Sequence, residues 1–149
     1  MKYTSLLLLC LLIFTNFTSC KKKEKSGYQE TELTKHVVWE GEMTITGTQK
    51  VVRGSSITIK PGSKITFEPA AKIMSWGDVI IKGTPEERIQ LIALDPINEH
   101  QILQVYGETN KLHVHHTDIK NGLTVSYMTD THFKDVHFSN SYKLEWNYA

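Results

Sequence analysis

The chain has 149 residues, enough for one ordinary domain. Lys and Arg number 17 against 16 Asp and Glu, so bulk charge gives no reason to expect a nucleic-acid partner; 40% hydrophobic residues are too many for general disorder. The two cysteines, Cys10 and Cys20, both fall in the first 20 residues, which excludes a disulfide framework and a cysteine-based zinc or redox site from the remainder.

The N-terminal segment reads as an address. Lys2 precedes an apolar run from Leu6 to Phe14 interrupted only by Cys10, and small residues follow, which is the profile of a secretory signal. The run is too short to span a bilayer, which needs about 20 apolar residues. Phe17-Thr18-Ser19-Cys20 resembles the lipobox of bacterial lipoproteins. That resemblance implies cleavage after residue 19, acylation of Cys20 and attachment to a membrane through several acyl chains. No Asp follows Cys20, which by resemblance to lipoprotein sorting favours the outer membrane, with the leaflet left open. Residues 20–36 are polar and charged, with Lys21 to Lys23 leading, and read as a flexible tether.

From residue 37 to 149 the pattern changes. Met43-Thr-Ile45, Ile57-Thr-Ile59, Ile65-Thr-Phe67, Val79-Ile-Ile81, Ile89-Gln-Leu91, Leu112-His-Val114 and Leu123-Thr-Val125 alternate with period two, and Gly, Pro, Asn or Asp breaks the text between them. These are short β-strands, and no window keeps helical spacing. Gly54, Gly62, Gly77, Gly83, Gly107 and Gly122 are expected at turns with positive φ, and Pro61 and Pro85 between strands.

The last third repeats at an offset of 19. Val114 falls on Phe133, Ile119 on Phe138, Asn121 on Asn140, Gly122 on Ser141, Leu123 on Tyr142, Val125 on Leu144 and Tyr127 on Trp146. Upstream, a looser beat of 20 sets Leu103 and Val105 on Leu123 and Val125, and Ile92 and Leu94 on Leu112 and Val114. A unit of that size cannot bury its apolar face alone, so the units should stack.

Val52-Arg-Gly54-Ser-Ser-Ile57-Thr-Ile59-Lys-Pro61-Gly62-Ser-Lys-Ile65-Thr-Phe67 resembles the opening coils of right-handed parallel β-helix repeat proteins. Gly83-Thr84-Pro85 leading to Ile89 and Leu91 resembles their next turn and strand, and Asn121 with Asn140 resembles the stacked turn asparagines of pectate-lyase-like helices. The resemblance implies an all-β, right-handed parallel β-helix. At about 20 residues per coil there is room for about five to six coils, roughly 25 to 30 Å tall; a small β-sandwich is the competing architecture. The text stops inside strand-like sequence, Tyr142 to Ala149, without an evident polar cap. Another chain then covers the last coil end to end, or Trp146 and Tyr148 fold over it, or the chain is the front part of a larger multidomain surface protein.

Five of the 7 histidines lie between His113 and His137. With Val114 and Phe133 inward, His113, His115, His132 and Lys134 point outward, and the offset sets His132 beside His113 and His137 beside Asp118. Such a cluster can bind a metal through imidazole, serve a sugar as acid and base, or be a solvated ladder; the expectation is no metal and no cofactor. Catalysis by a lyase or hydrolase on an acidic glycan would draw on Asp118, Lys134 and Asp135, with Asp130, Glu145 and Lys120 behind them, but no lyase or hydrolase signature surrounds these residues. Trp39, Trp76, Tyr106, Tyr127 and Tyr142 offer flat surfaces for sugar stacking or else pack the interior. The expectation is a non-catalytic, lipid-anchored β-helix scaffold that binds protein or carbohydrate, with Trp76, Tyr106, His113, His115, His132 and His137 as ligand-contacting residues.

Overall fold

A computed structural model describes residues 29–95, 101–127 and 130–146. Every regular element among them is a strand, and every pairing is parallel. The first coil holds β1 (Glu30–Leu33), β2 (His36–Trp39) and β3 (Glu42–Ile45). The second holds β4 (Thr48–Val51), β5 (Ser56–Ile59) and β6 (Lys64–Phe67), and the third β7 (Lys72–Ser75), β8 (Asp78–Lys82) and β9 (Ile89–Ala93). The fourth runs through β10 (Gln101–Tyr106) and the long β11 (Lys111–Lys120). The fifth follows with β12 (Leu123–Tyr127) and the long β13 (Asp130–Ser139), and β14 (Tyr142–Trp146) opens a further turn. The result is a parallel β-solenoid of about five turns.

Three strand faces surround the interior. One face runs β1-β4-β7-β10-β12-β14. The other two merge because β11 pairs β8 with its first half and β9 with its second. The corner inside β11 is a single residue, His116 at φ 46°, and its counterpart in β13 is Asp135 at φ 52°. His and Asp are among the few side chains that tolerate the left-handed region. The corner after each long strand is again one residue, Asn121 at φ 58° and Asn140 at φ 48°.

Parallel pairing sets residues directly over one another about 4.8 Å apart, so the alternation becomes columns. Trp39, Ile59, Ile81, Val114 and Phe133 form one inward column. Met43, Ile65, Leu91, Ile119 and Phe138 form another. Ile59, Ile65, Ile81, Leu91, Val114 and Ile119 have no exposed surface. Phe133 and Phe138 close the interior in the fifth coil with ring centroids 6.2 Å apart.

The offset of 19 holds through the last coils: β13 lies over β11 and β14 over β12 in the expected register. Asn140 Nδ2 donates to Asn121 Oδ1 at 3.4 Å, and Gly122 N donates to Ser141 Oγ at 2.9 Å. The upstream beat of 20 does not hold. The separation between partners is 18 at Lys50 and Glu32 and 33 at Lys111 and Asp78, because turns of different length separate the strands. Leu112 and Val114 lie over Val79 and Ile81, while Ile92 lies beside Lys120. Leu103 and Val105 pair Thr124 and Ser126, after a register shift in β10 between Gln101 and Leu103. After that one-residue shift Thr124 and Ser126 join the inward column of Leu103 and Val105, and Val125, also buried, aligns with Gln104.

Two further expectations change. Glu30 to Leu33, assigned to the tether, pair as β1 with β4, because Glu30 and Glu32 need only a solvated outer face while Leu33 packs on the core. Gly54, Gly62 and Gly107 have positive φ, but Gly77, Gly83 and Gly122 do not. They are small because the chain passes close by: a Cβ on Gly77 would sit 2.1 Å from Ser55 O. Pro61 and Pro85 do fall between strands.

The hydroxyls of Thr124 and Ser126 are buried without a hydrogen-bond partner. Thr124→Val, which keeps the shape and removes the orphan, is expected to raise the unfolding free energy by about 1–3 kcal/mol in denaturant titration. Ile119→Ala should lower it by about 2–5 kcal/mol in the same assay.

Candidate functional site

Three side-chain clusters stand on the outside of the solenoid. The first is an aromatic ladder where the first face ends. Register carries Trp76, Tyr106 and Tyr127 to the same edge in successive coils. Trp76 and Tyr106 stack with centroids 5.2 Å apart and planes at 16°, and Tyr106 and Tyr127 stack at 4.9 Å and 1°. Lys50 Nζ lies 6.0 Å from the Trp76 ring, at the limit of a cation–π contact, and is itself held by Glu30 and Glu32. The hydrogen bond to Glu32, followed by that to Glu30, raises the Lys50 pKa, so the charge over the indole is permanent at neutral pH. Burial, with the neighbouring Tyr127, raises the Tyr106 phenol, which therefore stays a neutral donor.

The ladder forms one wall of a cleft of about 620 Å³ that also takes in Arg53, Gly54, Glu108, Thr109 and Asn110. The opposite wall is the turn after β10, closed by Asn110 N donating to Gly107 O at 3.2 Å and by the Asn110 amide on Tyr106 O. Because the inner ring faces cover one another, the cleft presents ring edges, phenol groups, a guanidinium and a carboxylate. Tyr127 and Trp146 pair in register at the offset of 19, so that rung was readable; the Tyr106 rung was not, because β10 shifts register.

The second cluster is an imidazole triangle. His113 and His132 are register partners, as expected, and Lys134 is carried to His115. The ring centroids of His113, His115 and His132 are 6.3, 5.8 and 5.7 Å apart. His132 Nδ1 and His115 Nε2 face each other at 3.4 Å, and His113 Nε2 faces Asp130 Oδ2 at 3.4 Å. Burial, then Lys82, His132, His113 and Lys134, lower the His115 pKa. Among the described residues, no three His, Cys, Asp or Glu side chains are placed to hold a metal ion.

The third cluster sits at the corner of the long strands. Arg88, at the end of the turn before β9, reaches over both bends. Its Nε and Nη2 donate to Asp118 Oδ1 at 2.9 and 2.8 Å, and its Nη1 donates to Asp135 Oδ2 at 2.5 Å. His116 Nδ1 meets the same Asp135 oxygen at 2.7 Å. His137 stands beside Asp118 at 3.2 Å, as expected, and also 3.3 Å from Asp135. The His116 contact, then Arg88, holds the Asp135 carboxyl below its ordinary range, and Asp118 is the largest influence keeping the guanidinium charged. An ionised carboxylate clamped by Arg is a poor proton donor, and this Arg is no base.

The structure thus brings Asp118, Asp135 and His137 together, and takes Lys134 to the imidazoles instead. Asp130 faces His113, and Lys120 lies in register with Ser139. Trp39 belongs to the core. Cys20, Lys21 to Lys23 and Tyr148 lie outside the described residues, as do the side chains of Tyr142, Glu145 and Trp146. Sequence reasoning missed Arg88, Arg53 and Lys82, and counted His116 among the clustered histidines without giving it a role. Arg88 meets its carboxylates 30 and 47 positions away, where no repeat offset leads. His116 had a signal, since it and Asp135 share the offset of 19 and suit a left-handed corner.

No protein-family model, curated protein or solved structure matches this chain. The chemistry of the three clusters therefore stands by itself.

Asp135 supplies a pH test. A carboxyl with a depressed folded pKa adds stability that is complete above its unfolded value, ordinarily 3.8, and is lost as pH falls through the folded one. The melting temperature is expected to fall below about pH 4, with a shallower decline in Asp135→Asn.

Proposed function

We propose that this chain is a non-catalytic, lipid-anchored β-solenoid of the bacterial cell envelope that holds an extended glycan in the cleft beside the aromatic ladder. The observation that carries the reading is the cleft's mixed lining. Stacked Trp76, Tyr106 and Tyr127 give a rigid wall of ring edges against which sugar rings can pack, and Arg53, Glu108 and the phenols give hydrogen-bond partners for hydroxyls. The ladder repeats once per coil, so a chain lying along the solenoid axis meets the same wall several times.

The Arg88 corner favours binding over catalysis. The Asp135 carboxyl, held ionised by His116 and Arg88, is a poor general acid, and Asp118 is tied to Arg88 and His137. The anchor rests on the resemblance around Cys20, which also favours the outer membrane.

Three experiments test this reading. Glycan-array or calorimetric binding should detect a polysaccharide ligand, and Trp76→Ala should weaken it about tenfold or more, the loss expected when a well-packed aromatic anchor is truncated. Depolymerase activity abolished by Asp118→Asn would replace binding with catalysis. For the anchor, Cys20→Ala should move the protein from the membrane to the soluble fraction; unchanged membrane association would remove lipidation from the account.

A further inference from the structure

Parallel stacking turns the outside of the second face into a lattice of side chains. One outward column runs Glu40, Lys60, Lys82, His115, Lys134, and the next runs Val38, Thr58, Ile80, His113, His132. At its N-terminal end the first column alternates in sign, with Glu40 on Lys60 at 2.8 Å. Two coils later it does not: His115 lies between Lys82 and Lys134, about 4.8 Å from each along the ladder.

The groups facing this patch come from three strands. β8 brings Asp78 and Lys82, β11 brings Lys111, His113 and His115, and β13 brings Asp130, His132 and Lys134. Asp78 Oδ1 accepts the backbone N–H of Lys111, and Asp130 faces His113. Around the bend His116 faces Asp135, away from the triangle. With the imidazoles neutral, three lysines against two aspartates leave one positive charge; with all three protonated the patch carries four.

The geometry points to a proton-gated site for a tetrahedral oxyanion, the sulfate or phosphate group, held over the triangle of His113, His115 and His132 and flanked by Lys82 and Lys134. Ligand size follows from the spacing. A metal needs nitrogens converging to about 2.0–2.1 Å from one point, which these rings do not do. A polyatomic anion has its own oxygens between its centre and the donors, which sit about 2.7–3.2 Å from those oxygens, so a wider triangle suits it. The three rings, with centroids 5.7, 5.8 and 6.3 Å apart, leave a near-equilateral space wide enough for a tetrahedral anion to accept from them.

The gate is the short contact between His132 and His115. When neutral, the two facing nitrogens at 3.4 Å share one proton. Protonating both sets N–H against N–H, and an anion that accepts from each removes that conflict. Burial and the adjacent lysines hold His115 neutral until pH falls below the ordinary imidazole range. Anion binding and proton uptake therefore reinforce each other. The site is on a different face from the aromatic cleft and does not depend on it.

Inorganic sulfate is the probe of choice, because its charge does not change between pH 5 and 8 and any pH response belongs to the protein. Calorimetric titration of the full chain at low ionic strength should show binding about tenfold or more tighter at pH 5.5 than at pH 7.5. Imidazole NMR should show the pKa values of His113, His115 and His132 rising with sulfate while His36 is unmoved. His115→Gln with His132→Gln should abolish the pH dependence, and Lys82→Gln with Lys134→Gln should weaken binding at both pH values. Vesicles of phosphatidic acid in phosphatidylcholine, against phosphatidylcholine alone, distinguish a membrane phosphate from a soluble anion: retention lost in the histidine variant assigns the site to headgroups, and sulfate binding without retention assigns it to soluble ligands. Equal affinity at the two pH values, or a sulfate response at His116 and His137 in place of the triangle, overturns the proposal.

Discussion

Each paired strand residue of this solenoid sits over a partner in the next coil at the spacing of a parallel ladder, about 4.8 Å. Inside, that repetition is an advantage, since Ile59, Ile81 and Val114 pack as one continuous wall and no single coil has to bury its own apolar side. Outside, the same repetition forces like positions together, and each column must settle the interaction its side chains create. Charge columns do so by alternation in the first coils, where Glu lies over Lys; these exposed pairs add little stability and mainly prevent repulsion.

The candidate sites occur where the columns depart from alternation. The Trp76, Tyr106 and Tyr127 column resolves its repetition by stacking, which fixes the ring planes and leaves edges toward the cleft. The Lys82, His115 and Lys134 column places between two lysines an imidazole whose pKa is lowered first by burial and then by those neighbours. The carboxylates at Asp118 and Asp135 are not register partners, yet the single-residue bends in β11 and β13 bring both within reach of one arginine. A long turn in the third coil and tight corners in the next two are both needed for that contact.

Legibility followed loop length. Where the connections are equal, in the last two coils, spacing alone predicted Ile119 over Phe138, Asn121 on Asn140 and His132 beside His113. Where they are unequal, the same arithmetic misplaced Ile92 and put Leu103 and Val105 against the wrong residues of β12. The misplacement at β12 was by one residue, and one residue suffices to exchange the two faces of a strand. That explains how Thr124 and Ser126 come to be buried in register with Leu103 and Val105, where the offset of 20 had set Leu123 and Val125.

The amino-acid order by itself determined that the chain is all-β, which side of most strands is apolar, where the turns fall and which residues stack in the final coils, because these depend on neighbours a few positions apart or on a constant period. Only the tertiary structure decided the register of the earlier coils, the inward hydroxyls of β12, the neighbours of Arg88 and the partners of Tyr106. Each depends on how many residues a turn takes up before the next strand begins, a length that sets which distant side chains meet and leaves no periodic mark in the sequence.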